Sequence, residues 1–358
     1  MKIAVLGGGN GSYAAAADLA DLGHEVRFWR RNREAFAPTL HTQRVELKDF
    51  KGQRSIALAL ATTDLGQAVK GAALLVVPTP AFAQEDIARA LAPHLTDGQV
   101  IFLPPGTFGS YVMSRTLRDA GCRAQVAIAE TGTLPWLTRK HGPNLVAITT
   151  RASRLPTGVF PARSSAAAIE VLRAAFPAVE PIEDALSGAL MNAGPIIHPP
   201  LIIMNAGPIE HFERWDIHKE GTQPSIRRVT DVLDGERISV REALGYRAPH
   251  FPLKDHYTSE RWMYGNLAHD KLVDSGDWNE KLDLSAHRYM LEDVGCGLAF
   301  LVSVCEWTGA ACPVARGLLE VGAAITGIDF HNAPRTLRGL GLAGMTQGQM
   351  RTLLHEGL

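Results

Sequence analysis

The chain has 358 residues, more than twice the roughly 150 of a typical domain, so two domains are expected. Hydrophobic residues at 46% and charged residues at 20% exclude a mostly disordered chain. With 36 Lys+Arg against 37 Asp+Glu the net charge is −1, which leaves no bulk attraction to nucleic acid or to an anionic membrane.

Taken in order, the first hundred residues alternate between two textures. β-type runs at Lys2–Leu6, Glu25–Trp29, Ala73–Val77 and Val100–Leu103 are separated by helix-like segments at Ser12–Leu22, near Arg33–Leu40, at Leu65–Lys70 with Asp64 as N-cap, and at Gln84–Leu95. Strands apolar almost throughout, joined by helices, predict a parallel, doubly wound sheet covered on both faces. Runs at Gln125–Ala129 and Leu145–Thr149 are expected to extend that sheet, and Ser164–Phe176 reads as a crossover helix. Near residue 183 the texture turns helical. Ser225–Leu244, Ser285–Thr308 and Arg316–Ile328 read as helices, Tyr246–Asn279 as irregular, and the tail from Thr336 as two short helices. The expected organisation is a Rossmann domain over residues 1–182 and an all-helical domain over 183–358.

Targeting signals and membrane spans are not expected. The apolar start gives way to glycines within a few residues, and the run Ala185–Ala206 is interrupted by His198, Pro199 and Pro200, which suits buried helices better than a span of about 20 apolar residues. Cysteines 122, 296, 305 and 312 have neither disulfide-framework nor metal spacing, which fits a reducing cytoplasm. No metal site is expected.

The strand Lys2–Leu6 runs into GGGNGS, Gly7–Ser12, and then into an alanine-rich helix with a second strand behind it. That context turns a weak glycine pattern into a dinucleotide-binding expectation. Gly7 permits the tight turn and Gly9 the approach of a pyrophosphate. Asn10 and Gly11 complete the loop, and the helix N-terminus offers free N–H groups. Ser12 replaces the third small residue of the fingerprint. At the end of the second strand, where an acidic residue would select NAD, stand Arg30 and Arg31. Guanidinium groups suit a 2′-phosphate, so NADP(H) is favoured, with NAD(H) open and a solvated arginine pair as the alternative.

The second half carries a resemblance. LMNAGPIIHPPLIIMNAG (Leu190–Gly207), KEGTQPS (Lys219–Ser225), HRYMLEDVGCGL (His287–Leu298) and AETGTLP (Ala129–Pro135) occur in one order behind the fingerprint. Together they are similar to segments of the octopine/nopaline (opine) dehydrogenase family, which includes carboxyethyl-norvaline-type bacterial enzymes. The resemblance implies reductive condensation of an L-amino acid with an α-keto acid such as pyruvate. The imine is reduced by NAD(P)H in a cleft between a Rossmann and a helical domain. The other enzyme reading is a related dehydrogenase that reduces a keto acid without an amine, of 2-hydroxy acid or ketopantoate type. A nonenzymatic cofactor sensor would lack proton-transfer groups. Monomer and homodimer are both open.

Such chemistry needs a proton shuttle active near neutral pH, and histidine supplies one. His198 interrupts an apolar run before two prolines that are expected to break the helix; a buried ring satisfied by a carbonyl is the alternative. The resemblance implies catalysis by His198, with Asp293 holding it in one tautomer. Arg288 is a candidate substrate-carboxylate clamp, or else an i,i+4 partner of Glu292. Glu130, expected at the carboxyl edge of the sheet, could receive the substrate amine, and Asn192 could add a polar contact.

Overall fold

Apolar residues alternating across short strands build the first half. In the computed structural model, which describes residues 1–265 and 268–358, twelve strands lie among the described residues. They are β1 (Lys2–Leu6), β2 (Glu25–Trp29), β3 (Arg44–Asp49), β4 (Gly52–Ala57), β5 (Leu60–Thr62), β6 (Leu74–Val76), β7 (Val100–Leu103), β8 (Ala127–Thr131), β9 (Trp136–Lys140), β10 (Leu145–Arg151), β11 (Leu155–Phe160) and β12 (Val179–Pro181). Along β1, Ile3 and Val5 join one apolar cluster and Ala4 and Leu6 another; β7 divides in the same way, Val100 and Phe102 against Ile101 and Leu103. Each of these two strands thus feeds a core on both faces, as the period of two requires.

The main sheet has the order β12-β11-β8-β7-β6-β1-β2-β5, parallel throughout except where β11 runs antiparallel to β8. Helices Asn10–Asp21, Gln84–Leu91, Gly109–Asp119 and Ser165–Ala175 alternate with its strands, and Asp64 caps the helix Leu65–Val69 by accepting from the Gln67 N–H at 3.0 Å. This is the expected Rossmann arrangement.

One expectation fails. The run at Leu145 does not extend this sheet: β10 belongs to a second, four-stranded sheet of order β4-β3-β10-β9. Its β3–β4 hairpin buries Val45 and Leu47 while Arg44 and Lys48 face outward, the one-sided texture of an antiparallel pair. A chain of ion pairs fastens this sheet to the first helix. Arg151 reaches Asp18 at 2.6 Å and Asp49 at 2.7 Å, and Arg54 reaches Asp49 at 2.7 Å and Asp21 at 2.6 Å.

The chain divides into two units, Met1–Ala189 with Leu353–Leu358, and Leu190–Thr352. The division falls a few residues beyond the expected 182/183, because the short helix Ala185–Ala189 counts with the first unit. There Gly158 of β11 lies so close to it that a Cβ would meet the Asp184 carbonyl oxygen at 1.9 Å. The stretch Ala185–Met204 has the length and apolar character to cross a bilayer, yet 83% of it is buried inside the protein, as core helices are.

Helices dominate the second unit: Gly194–Met204, Ala206–His211, Pro224–Ala243, Ala299–Thr308 and Pro313–Thr326 are the main ones. The expected helix Ser285–Thr308 is only partly α-helical, since Tyr289–Leu298 is wound as a π-helix. The irregular stretch Tyr246–Asn279 holds short helices at Asp255–Thr258 and Ala268–Asp274; its residues 266–267 lie outside the described residues. In the tail the first expected helix is absent among the described residues. Turns precede the single helix Gln347–Glu356.

Helix Pro224–Ala243 buries Asp234, Glu236, Arg237 and Arg241. Glu236 accepts from the Val314 and Ala315 N–H groups, each at 2.8 Å, and so caps the helix Pro313–Thr326 from outside it. Glu236→Ala leaves one buried and one half-buried donor without their acceptor. The expected loss is about 1–3 kcal/mol per donor, read as a lowered denaturation midpoint with the m-value unchanged.

Candidate active site

The glycine-rich turn has the shape that its sequence demands. Gly7 sits at φ +131°, and its N–H donates to the Trp29 carbonyl at 3.0 Å. A Cβ on Gly7 would lie 2.5 Å from Ser12 Oγ, and one on Gly11 2.8 Å from Leu134, so both need glycine for space. Gly9 faces open space. Asn10 opens the helix, and its side-chain oxygen accepts from the Lys140 N–H at 3.1 Å, joining the turn to β9. The first turn of this helix carries no acidic residue, and the hydroxyls of Ser12 and Thr79 are buried beside Gly7 without hydrogen-bond partners. Free N–H groups, spare hydroxyls and room at Gly9 fit a dinucleotide diphosphate.

The two arginines separate. Arg30 is half-buried, and its guanidinium folds back over Gly8, where a Cβ would meet Nε at 2.3 Å. It donates to the Ala35 carbonyl at 2.7 Å and to the Tyr13 hydroxyl at 3.4 Å. Arg31 is exposed.

Glu130 does lie at the carboxyl end of β8, but its carboxylate is not offered to a ligand. It is fully buried and accepts from the backbone N–H groups of Phe108 at 2.7 Å and Ser110 at 3.3 Å and from the Ser110 hydroxyl. The helix Gly109–Asp119 starts after a left-handed Phe108, which supplies no side-chain cap, so Glu130 serves as its anion. Gly106 makes room, since a Cβ there would meet Glu130 Oε2 at 2.2 Å. The expected amine contact is therefore replaced by a fold role.

In the second unit the structure brings His198 and Asp293 together. His198 Nδ1 lies 2.8 Å from Asp293 Oδ2, with the ring 18% exposed and the carboxylate 8%. The prolines do not break the helix as expected. Gly194–Met204 runs on through buried Pro199 and Pro200, and His198 projects from its N-terminal half. Asp293 comes from the π-helical segment, a rare winding that concentrates at functional sites. Glycines let the two elements close up: a Cβ on Gly194 would lie 2.4 Å from Asp293 Oδ1, and one on Gly297 2.2 Å from Pro195. Tyr289, one turn before Asp293, stacks on the imidazole with ring centroids 3.6 Å apart and planes 10° from parallel. Among the described residues no group bonds His198 Nε2.

His218, which no pattern in the sequence singles out, belongs to the same cluster. Its buried ring lies 6.2 Å from His198 and 5.5 Å from Trp278, and Asp216 fixes its backbone by accepting from the His218 N–H at 3.0 Å. Its signal in sequence was only the Asp two residues before it, a common turn pattern. Arg288 takes the i,i+4 arrangement, 3.0 Å from Glu292, with its side chain 56% exposed. Asn192 is buried and caps the turn before Gly194, accepting from that N–H at 3.0 Å. Asn205 and Thr131 are bonded within the fold, to the Leu201 and Pro156 carbonyls. No cluster of His, Cys, Asp or Glu that could hold a metal ion occurs among the described residues.

Residues 181–326 match the family described as NAD/NADP octopine/nopaline dehydrogenase, alpha-helical domain, and residues 2–105 match the NAD-dependent glycerol-3-phosphate dehydrogenase N-terminus. An opine dehydrogenase of Arthrobacter sp. (strain 1C) is 28% identical, with 98% of this chain and 97% of that protein covered. An octopine dehydrogenase solved with NADH and agmatine has the same fold, with a TM-score of 0.74 at 18% identity over 100% of this chain and 98% of its own. So does a yersinopine dehydrogenase solved with NADP+, with a TM-score of 0.66 at 16% identity over 99% and 98%. With a dehydrogenase nucleotide-binding unit followed, over residues 181–326, by the helical domain of the octopine/nopaline (opine) dehydrogenases, the chain is similar to opine dehydrogenases along its whole length and is an NAD(P)-dependent oxidoreductase.

Proposed function

We propose that this protein condenses the amino group of an L-amino acid with an α-keto acid and yields the secondary amine, using His198 as the proton shuttle. The single observation that carries the roles is the 2.8 Å bond between His198 Nδ1 and Asp293 on a helical unit of this family. A carboxylate accepting from Nδ1–H makes Nε2 the basic nitrogen and stabilises the imidazolium once Nε2 is protonated. Nε2 then takes a proton from the substrate ammonium, which frees the amine to attack the keto carbon. The same Nε2–H returns the proton to the carbinolamine hydroxyl, which leaves as water and gives the protonated imine. Bound NAD(P)H supplies the hydride that reduces the imine carbon. Tyr289 keeps the imidazole in plane through the cycle.

For the cofactor, the reading is NADP(H). Arg30 stands at the ribose end of β2 beside Gly8, where a carboxylate would select NAD(H). Four free cysteines, two of them buried, suit a reducing compartment.

NADPH oxidation is expected to require an amino acid and a keto acid together, with the secondary amine dicarboxylate identified by mass spectrometry. Turnover with keto acid alone, unaffected by any amino acid, would place the protein with the keto-acid reductases instead.

A further inference from the structure

Two cations from separate elements converge on one ring at the nucleotide turn. Arg30, at the end of β2, lies over Gly8 and donates to the Tyr13 hydroxyl. Lys140, the last residue of β9 in the smaller sheet, holds its Nζ 3.7 Å from the centre of the Tyr13 ring, and its backbone N–H is bonded to Asn10 of the glycine-rich loop. Among the described residues neither cation has a carboxylate within ion-pair distance, whereas Arg54, Arg151 and Arg154 of the same unit are paired. Like charges brought together beside a nucleotide loop, without a counter-ion, form a site for an anion.

We propose that Lys140 acts with Arg30 to hold the 2′-phosphate of NADP(H), so that a residue outside the main sheet helps to set cofactor choice. This rests on the NADP(H) reading above. Burial first, and the Arg30 charge second, push the Lys140 ammonium down to about 8, as expected of a cation that lacks its anion. A phosphate dianion would satisfy both groups with charge-assisted bonds, leaving the diphosphate to the loop N–H groups.

The test is calorimetric binding of 2′,5′-ADP (adenosine 2′,5′-bisphosphate) and of 5′-AMP, which differ only in the 2′-phosphate. The unaltered protein is expected to prefer 2′,5′-ADP. Equal affinities there would defeat the NADP(H) reading and this inference with it. Given that preference, Lys140→Gln is expected to weaken 2′,5′-ADP about tenfold to a hundredfold while 5′-AMP binding is unchanged, and Lys140→Arg to keep most of the affinity. 5′-AMP serves as the folding control. Unchanged 2′,5′-ADP binding in Lys140→Gln, or equal losses for both ligands, would overturn the role of Lys140 while leaving the preference for NADP(H) intact.

Discussion

His198→Ala is expected to lower kcat by about 10²–10⁴ while NADPH still binds, because a general acid–base group contributes that much and the glycine-rich turn lies in the other unit. Asp293→Asn should be milder but similar in kind. It keeps the ring and its hydrogen-bond geometry, yet it no longer favours the tautomer with a basic Nε2. The double variant should be little worse than His198→Ala alone, since groups that act as one unit are not additive. Near-normal kcat in both folded single variants would remove the dyad from the mechanism. Independent, multiplicative losses would mean that Asp293 does something other than orient His198. Tyr289 offers a further check. Its ring covers one face of the imidazole, so Tyr289→Phe should keep most activity and Tyr289→Ala should lose it through kcat rather than through NADPH affinity.

The parallel sheet was legible because its strands are buried on two sides, which removes the polar alternation that blurs most strands. The smaller sheet was not, because β3 and β4 mix apolar and charged residues in a texture that exposed loops share. His198 and Asp293 were found through the family pattern. Their proximity follows from a π-helix, whose wider turns leave no distinct period in the sequence. Glu130 was placed correctly at the sheet edge, but the direction of its carboxylate depends on a helix that lacks a cap of its own, 20 residues away. Buried charges are as hard to read from sequence. Glu236 and Arg241 look like the solvated face of a long helix, and only tertiary partners distinguish them. Lys140 escaped notice because it lies on a strand of the smaller sheet, far in sequence from the fingerprint that it touches.

Removing Asp49 should unfasten that smaller sheet and change how the protein responds to acid. Its side chain is out of solvent between Arg54 and Arg151. Burial alone would raise the Asp49 carboxyl, but hydrogen bonds from Arg54 and Arg151 more than reverse this and hold it well below the usual carboxylate range. Asp21 is lowered as well, chiefly by its hydrogen bond from Arg54. A carboxyl whose folded pKa is depressed binds fewer protons folded than unfolded. Its stabilisation is therefore complete above the unfolded value of about 4 and is lost as the pH falls below it. His256 acts in a different window. Burial first, then the charges of His269 and Arg227, push its ring down to about 3, so the folded state resists protonation and loses stability from about pH 6.5 downward. Denaturation midpoints across pH 7 to 3 separate the two. Asp49→Asn is expected to lower stability at pH 7 by about 3–5 kcal/mol, toward the lower end because both guanidinium groups reach solvent, and to flatten the limb below pH 4. The slope between pH 6.5 and 4 should survive in that variant and shrink in His256→Leu. An acid limb below pH 4 that is unchanged by Asp49→Asn would show that the network of Asp18, Arg151, Asp49 and Arg54 does not fasten the sheet to the first helix in solution.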